Sequence, residues 1–273
     1  FGLIERLTPI ERREIKNNST IVSIGDDAAC LEYKNKVVLV STDILTEGVH
    51  FDMVYTPLKH LGYKACVVNF SDIYAMNGRP KQITISLAVS NRYSVEALEE
   101  LYAGIYLACE KYGVDVVGGD TTSSSAGMFL SITVIGEAEK EKIVRRNGAK
   151  PYDLLCVTGD LGAAYAGLLV LQREKAAFMV NPNSQPQLKD YEYEVGRQLK
   201  PEAQKKLIDF FEEEGIVPTS MIDISDGLAS ETLHICTQSD VGCEIYLEKL
   251  PVDYRVSRTF EEFKILADTG ALN

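Results

Sequence analysis

The chain has 273 residues, of which 45% are hydrophobic, so it is long enough to bury a sizeable core, is expected to form two domains, and is not of disordered composition. Lys and Arg number 28 against 40 Asp and Glu, a formal charge of −12, which disfavours the backbone of a nucleic acid as partner. An anionic substrate would have to be held through metal ions or through local Arg and Lys.

The six cysteines form no C-x-x-C pair, and most lie in apolar surroundings, which argues for buried free thiols and against a zinc site. No apolar run approaches the roughly 18 residues needed to span a bilayer, and no charged-then-apolar leader is present, so a cytoplasmic protein is expected. The sequence begins at Phe1 rather than an initiator Met, so one or both native ends are expected to lie outside it.

In chain order, Lys36 to Asp43 reads as a buried strand ending in a polar, acidic tip. Apolar residues at helical spacing predict a helix from Leu58 to Met76, stopped by Gly78-Arg79-Pro80. Asp72 falls on the stripe of that helix carrying Ala65 and Val68. A carboxylate there is costly unless it is paired, hydrogen-bonded or metal-bound. Gln82 to Val89 alternates as a strand, and Ser94 caps a helix running to Tyr112 with Glu96 and Glu99 in its first turns. Asp115 to Asp120 and Phe129 to Gly136 predict two further strands. The order implies an α+β domain over residues 1–137, followed by an α/β domain over 138–273.

The second domain is expected to open with a strand, Leu154 to Thr158. The turn Gly159-Asp160-Leu161-Gly162 then enters a helix, Ala163 to Gln172, and such a turn either presents N–H groups to an anion or is a plain tight turn. Residues 180–200 are polar and read as an exposed, mobile loop. Met221 to Asp226 reads as a strand with Asp223 and Ser225 on one face, and Asp226 and Gly227 make the turn into the helix Leu228 to Cys236.

Acidic clusters thus stand at Gly25-Asp26-Asp27, Ser41-Thr42-Asp43, Asn69 to Asp72, Gly118-Gly119-Asp120 and Asp223 to Asp226. Carboxylates among small residues at strand tips suit hard divalent cations held against a polyphosphate. His50 follows the Asp43 tip by seven residues and is placed to reach the same cleft, although a loop histidine is commonly structural. Arg145-Arg146 is suited to bidentate phosphate contact or to a solvated surface.

Six motifs, G-D-D-A-A (25–29), S-T-D (41–43) with His50, N-F-S-D-I-Y-A-M (69–76), G-G-D-T-T (118–122), V-T-G-D-L-G (157–162) and I-D-I-S-D-G-L (222–228), resemble in order and spacing those of the thiamine-monophosphate kinase family. That family belongs to the aminoimidazole ribonucleotide synthetase-like ATP-binding superfamily. The resemblance implies an α+β N-terminal domain that dimerises, an α/β C-terminal domain, ATP in the groove between them, and magnesium-dependent conversion of thiamine monophosphate to thiamine diphosphate. Carried over by position, it implies magnesium contacts at Asp27, Ser41, Thr42, Asp43, Asp72, Asp120, Asp223 and Asp226. Tyr102, Gly119, Asp120, Arg146 and Ser225 match ATP positions, and His50 matches a substrate contact. No catalytic general base is expected, because the acceptor phosphate is already largely ionised near neutral pH, with a second pKa of about 6.

The family pattern continues beyond the equivalent of Asn273 with a G-G-E-D-Y-E-L segment, so residues completing the acceptor pocket are expected to lie there. Selenophosphate synthetase, aminoimidazole ribonucleotide synthetase and hydrogenase-maturation dehydratase are the alternatives within the superfamily. A non-catalytic calcium- or nucleotide-binding module is the alternative from another class, and no EF-hand loop occurs.

Overall fold

The structure is a computed structural model and describes residues 6, 15–22, 30–31 and 37–264. Packing divides the chain into two units: residues 1–143 with 203–217, and residues 144–202 with 218–273.

Unit 1 is built on a four-stranded sheet. Strands β1 (Thr20–Val22) and β2 (Cys30–Leu31) form a separate antiparallel pair. The sheet itself comprises β3 (Val37–Thr46), β4 (Arg79–Val89), β5 (Asp115–Ser123) and β6 (Phe129–Ala138), in the order β3-β6-β4-β5. The pairs β3/β6 and β6/β4 are antiparallel, whereas β4 and β5 are parallel. A parallel pair needs a crossover, and α2 (Val95–Tyr112) supplies it. The carboxyl ends of β3, β4 and β5 therefore share one end of the sheet. A bulge in β5 opposite Ile83 and Thr84 leaves Val117 unpaired and resets which face each later residue of β5 takes.

Helix α1 (Leu58–Ala75) packs against the sheet and against α2. It is buried nearly all round, including Leu61, Cys66, Phe70 and Ile73. Its crossing with α2 is close because glycines meet backbone: a Cβ on Gly62 would lie 2.0 Å from the Leu101 carbonyl oxygen, and one on Gly104 1.8 Å from that of Lys59. As the sequence predicts, Ser94 caps α2, its Oγ accepting from the Ala97 N–H at 3.2 Å. Gly113, at φ +71°, ends the helix in the left-handed region. The N-terminal segment docks through Asp115, whose Oδ1 accepts from the Lys16 N–H at 2.9 Å and whose Oδ2 accepts from the Thr20 hydroxyl at 3.1 Å.

Unit 2 contains α3 (Ala163–Val180), α4 (Glu192–Leu199), α6 (Leu228–Ser239) and α7 (Tyr254–Glu262), while α5 (Lys205–Glu214) belongs to unit 1. Arg79 explains that return: its guanidinium pairs with Asp209 and, at 2.6 Å, with Glu212 of α5. Two expectations change. Residues 192–199 are helical rather than loop, because Tyr191 and the buried Glu194 pack this segment among its helical neighbours, with the Glu194 carbonyl 2.1 Å from a Cβ placed on Gly167. Residues 154–158 and 221–226 carry no strand; Met221 makes a single backbone bond, 3.2 Å to the Arg145 carbonyl, and an apolar run becomes a strand only with a ladder partner. No described helix is long and apolar enough to cross a membrane.

The helix crossing yields the first prediction. Gly104→Ala should lower the urea-unfolding free energy by about 1–3 kcal/mol through overpacking. Gly196→Ala, where a Cβ meets nothing within 4 Å, should raise it by about 0.5–1 kcal/mol.

Candidate active site

Alternation along β3 decides which groups meet. Leu39 and Leu45 are buried, so Ser41 and Asp43 share their face, the one covered by α1. There the Ser41 hydroxyl donates to Asp72 Oδ2 at 2.6 Å, joining strand to helix. The Asp43 backbone N–H donates to Asn69 Oδ1 at 3.1 Å, and Asn69 Nδ2 donates to the Ala65 carbonyl at 2.9 Å. Asn69 is 1% exposed, so its amide aligns Asp43 from within the core. Ser41, Asp43 and Asp72 present only oxygen ligands, a donor set that fits Mg²⁺ and not a soft metal.

Thr42 takes the other face. Its hydroxyl donates to the Ile132 carbonyl at 3.1 Å and accepts from Thr133 at 3.0 Å.

Asp120 lies on β5, at the opposite edge of the sheet. It pairs with Ser86, which pairs with Ser131, which pairs with Ile44. Asp120 thus follows Ser86 onto the exposed face, while its neighbour Thr121 faces Tyr102 of α2. Three strand spacings of about 4.8 Å separate the edges, so Asp43 and Asp120 stand about 14 Å apart in one chain. Consistently, no group of three or more His, Cys, Asp or Glu able to hold a metal occurs among the described residues. Gly119 precedes Asp120 where a Cβ would lie 1.9 Å from the Ile85 carbonyl oxygen. Tyr102 is buried, and burial, reinforced by the nearby Cys66, pushes its hydroxyl up to about 12 despite a hydrogen bond with Thr121.

His50 is exposed in the turn after β3, where its Nδ1 accepts from the Thr46 N–H at 3.0 Å. Asp27 lies outside the described residues. In unit 2, the Arg146 side chain is exposed while its carbonyl accepts from the Ser220 and Ser239 hydroxyls at 2.9 and 3.0 Å. Asp223 is half-buried, and Ser225 and Asp226 are exposed just before α6. The Asp226 N–H donates to Glu231 Oε1 at 2.9 Å, so a buried glutamate inside α6 fixes the turn. The 159–162 turn carries its own anion: Asp160 accepts from Tyr193 and Arg197, each at 2.5 Å, and the Leu161 N–H is taken by the Pro251 carbonyl at 2.9 Å.

Glu47 was not among the expected site residues. It holds Arg92, Tyr93 and the Met128 N–H at the carboxyl end of the sheet. Burial pushes its carboxyl up, but the hydrogen bonds from Tyr93, Arg92 and Met128 outweigh that and leave it below its ordinary value. Only its place beside the S-T-D motif could have marked it in the sequence.

An α+β sheet unit with an oxygen-ligand cluster between β3 and helix α1 defines the class. Residues 25–138 match the family model "AIR synthase related protein, N-terminal domain". The thiamine-monophosphate kinase of Bacillus subtilis (strain 168) is 37% identical over 256 residues, 92% of this chain and 74% of that protein. Among solved structures, a thiamine-monophosphate kinase from Stenotrophomonas maltophilia K279a matches with a TM-score of 0.80 at 29% identity, covering 99% of this chain and 80% of the other. AaThiL, solved in complex with AMPPCP and TMP, matches with a TM-score of 0.75 at 33% identity, covering 100% and 80%. The chain belongs to the thiamine-monophosphate kinase family and has the aminoimidazole ribonucleotide synthetase-like fold.

Asn69 provides the prediction for this site. Asn69→Ala should cost about 1–3 kcal/mol in thermal or urea unfolding, because it strips the Asp43 N–H and the Ala65 carbonyl of their partner.

Proposed function

We propose that the chain transfers the γ-phosphoryl group of ATP directly to the phosphate of thiamine monophosphate, giving ADP and thiamine diphosphate. The observation that carries this reading is the Ser41, Asp43 and Asp72 oxygen cluster between β3 and α1 in a chain of this family. The relative solved with AMPPCP and TMP supports it. Asp27, Ser41, Thr42, Asp43, Asp72, Asp120, Asp223 and Asp226 would hold Mg²⁺, which when bound offsets charge on the transferring phosphate. Tyr102, Gly119, Asp120, Arg146 and Ser225 contact ATP. Arg146 is suited to a phosphate oxygen because its guanidinium donates in a planar fork. His50 contacts thiamine monophosphate. No residue need remove a proton, since the attacking oxygen belongs to a phosphate already ionised near neutral pH.

The full-length protein should convert thiamine monophosphate only with both ATP and Mg²⁺, as followed by coupled ADP release, and chelation should abolish turnover. Asp43→Asn should lower kcat at least about 100-fold with an unchanged circular-dichroism spectrum. Turnover of another acceptor in place of thiamine monophosphate would overturn the reading.

The protein functions as a homodimer in this reading. The sheet face away from α1 and α2 leaves Val38, Val40 and Ile44 of β3 exposed, Val40 at 64%. Asp43 and Asp120 lie on opposite edges, so one cation can engage both only if a second copy sets its β5 edge beside the β3 edge of the first. Mixed dimers test this. Co-expressed Asp43→Asn and Asp120→Asn chains, each inactive alone, should regain about a quarter of wild-type turnover, because half the dimers carry one intact site. No recovery would place both carboxylates in sites within single chains.

A further inference from the structure

Glu47 ties three loops together at the carboxyl end of the sheet. Its Oε1 accepts from the Arg92 guanidinium, in the β4-to-α2 loop. Its Oε2 accepts from the Tyr93 hydroxyl at 2.7 Å and from the Met128 N–H, in the β5-to-β6 loop, at 2.9 Å. The Glu47 N–H in turn donates to the Met128 carbonyl at 3.0 Å. Space above the carboxylate is tight: Gly127 has φ +108°, and a Cβ there would lie 2.7 Å from Oε2. The Glu47 side chain is 16% exposed, so its bonds to Tyr93 and Met128 are partly shielded from water, while Arg92 reaches it from the surface.

The turn that starts at Glu47 ends in His50. The Gly48 N–H donates to the Phe51 carbonyl at 2.8 Å, and the His50 N–H donates to the Thr46 carbonyl at 2.9 Å. Because Nδ1 accepts from the Thr46 N–H, the neutral ring carries its proton on Nε2. That leaves one directed donor for an anion.

We propose that Glu47 is a positioning residue for thiamine monophosphate: its carboxylate registers the three loops and thereby fixes the His50 turn and the Nε2–H donor. The inference rests on His50 contacting that substrate in the proposed reaction. The role needs a carboxylate and not merely a side chain of this size. Donors converge on both oxygens, so an amide in its place would set an NH₂ group against Arg92 or against Tyr93 and Met128.

The test is steady-state kinetics on the full chain with Glu47→Gln, His50→Gln and the double variant, beginning with wild-type turnover of thiamine monophosphate. Glu47→Gln should raise KM for thiamine monophosphate on the order of tenfold and leave KM for ATP unchanged. It should add nothing in the His50→Gln background, the signature of two residues acting through one contact. A second readout is independent of turnover. The chain has 3 histidines, so ¹⁵N spectra of the imidazoles should show His50 as the Nε2–H tautomer in the wild type and as a tautomer mixture in Glu47→Gln. An unchanged KM for the acceptor, equal rises in both KM values, or an additive double variant overturns the proposal. Wild-type protein that does not turn over thiamine monophosphate overturns the reaction and, with it, the role of His50. If Glu47→Gln does not fold, Tyr93→Phe removes one donor from the same oxygen and should raise the acceptor KM about threefold in the same cycle.

Discussion

The two-residue period of β3 governs the site. Burying Leu39 and Leu45 obliges Ser41 and Asp43 to lie on the helix-covered side, and sends Val40, Thr42 and Ile44 to the other. A register slip of one residue would exchange the two sets and destroy both the core and the oxygen cluster. Stability and chemistry are thus coupled through the same alternation: the leucines secure the strand, and the strand presents the carboxylate.

Helix α1 completes that arrangement at some cost. Asn69 and Asp72 stand on a helix buried on most sides, where a polar group is tolerated only with partners. Asn69 spends its amide on the Asp43 N–H and the Ala65 carbonyl, and Asp72 receives the Ser41 hydroxyl. The glycine contacts at the crossing with α2 bring the two helices together at backbone distance. The polar layer is therefore preorganised by apolar packing.

Similar aspartates serve different ends in the same sheet. Asp115 and Asp120 are five residues apart on β5, yet Asp115 is buried and bonded to the N-terminal segment while Asp120 is exposed at the carboxyl end. Asp160, in a glycine turn that reads either as an anion site or as a plain tight turn, is clamped by Tyr193 and Arg197. Local sequence did not separate these cases, because what distinguishes them is the residue across the gap.

The four strands of the sheet and helices α1 and α2 were legible in the sequence because period-two and helical spacings and the Ser94 cap are local signals. The family was legible through the resemblance of six motifs in order and spacing. Long-range packing decided the rest. Residues 154–158 and 221–226 have the apolar content of strands but no ladder partner, and 192–199 became a helix through its fit against Gly167. Strand order separated Asp43 from Asp120, the bulge at Val117 set the face of Asp120, and three loops distant in sequence converged on Glu47. Spacing along a chain reports the conformation of neighbours, whereas the meeting of side chains depends on register and topology, which only the folded sheet possesses.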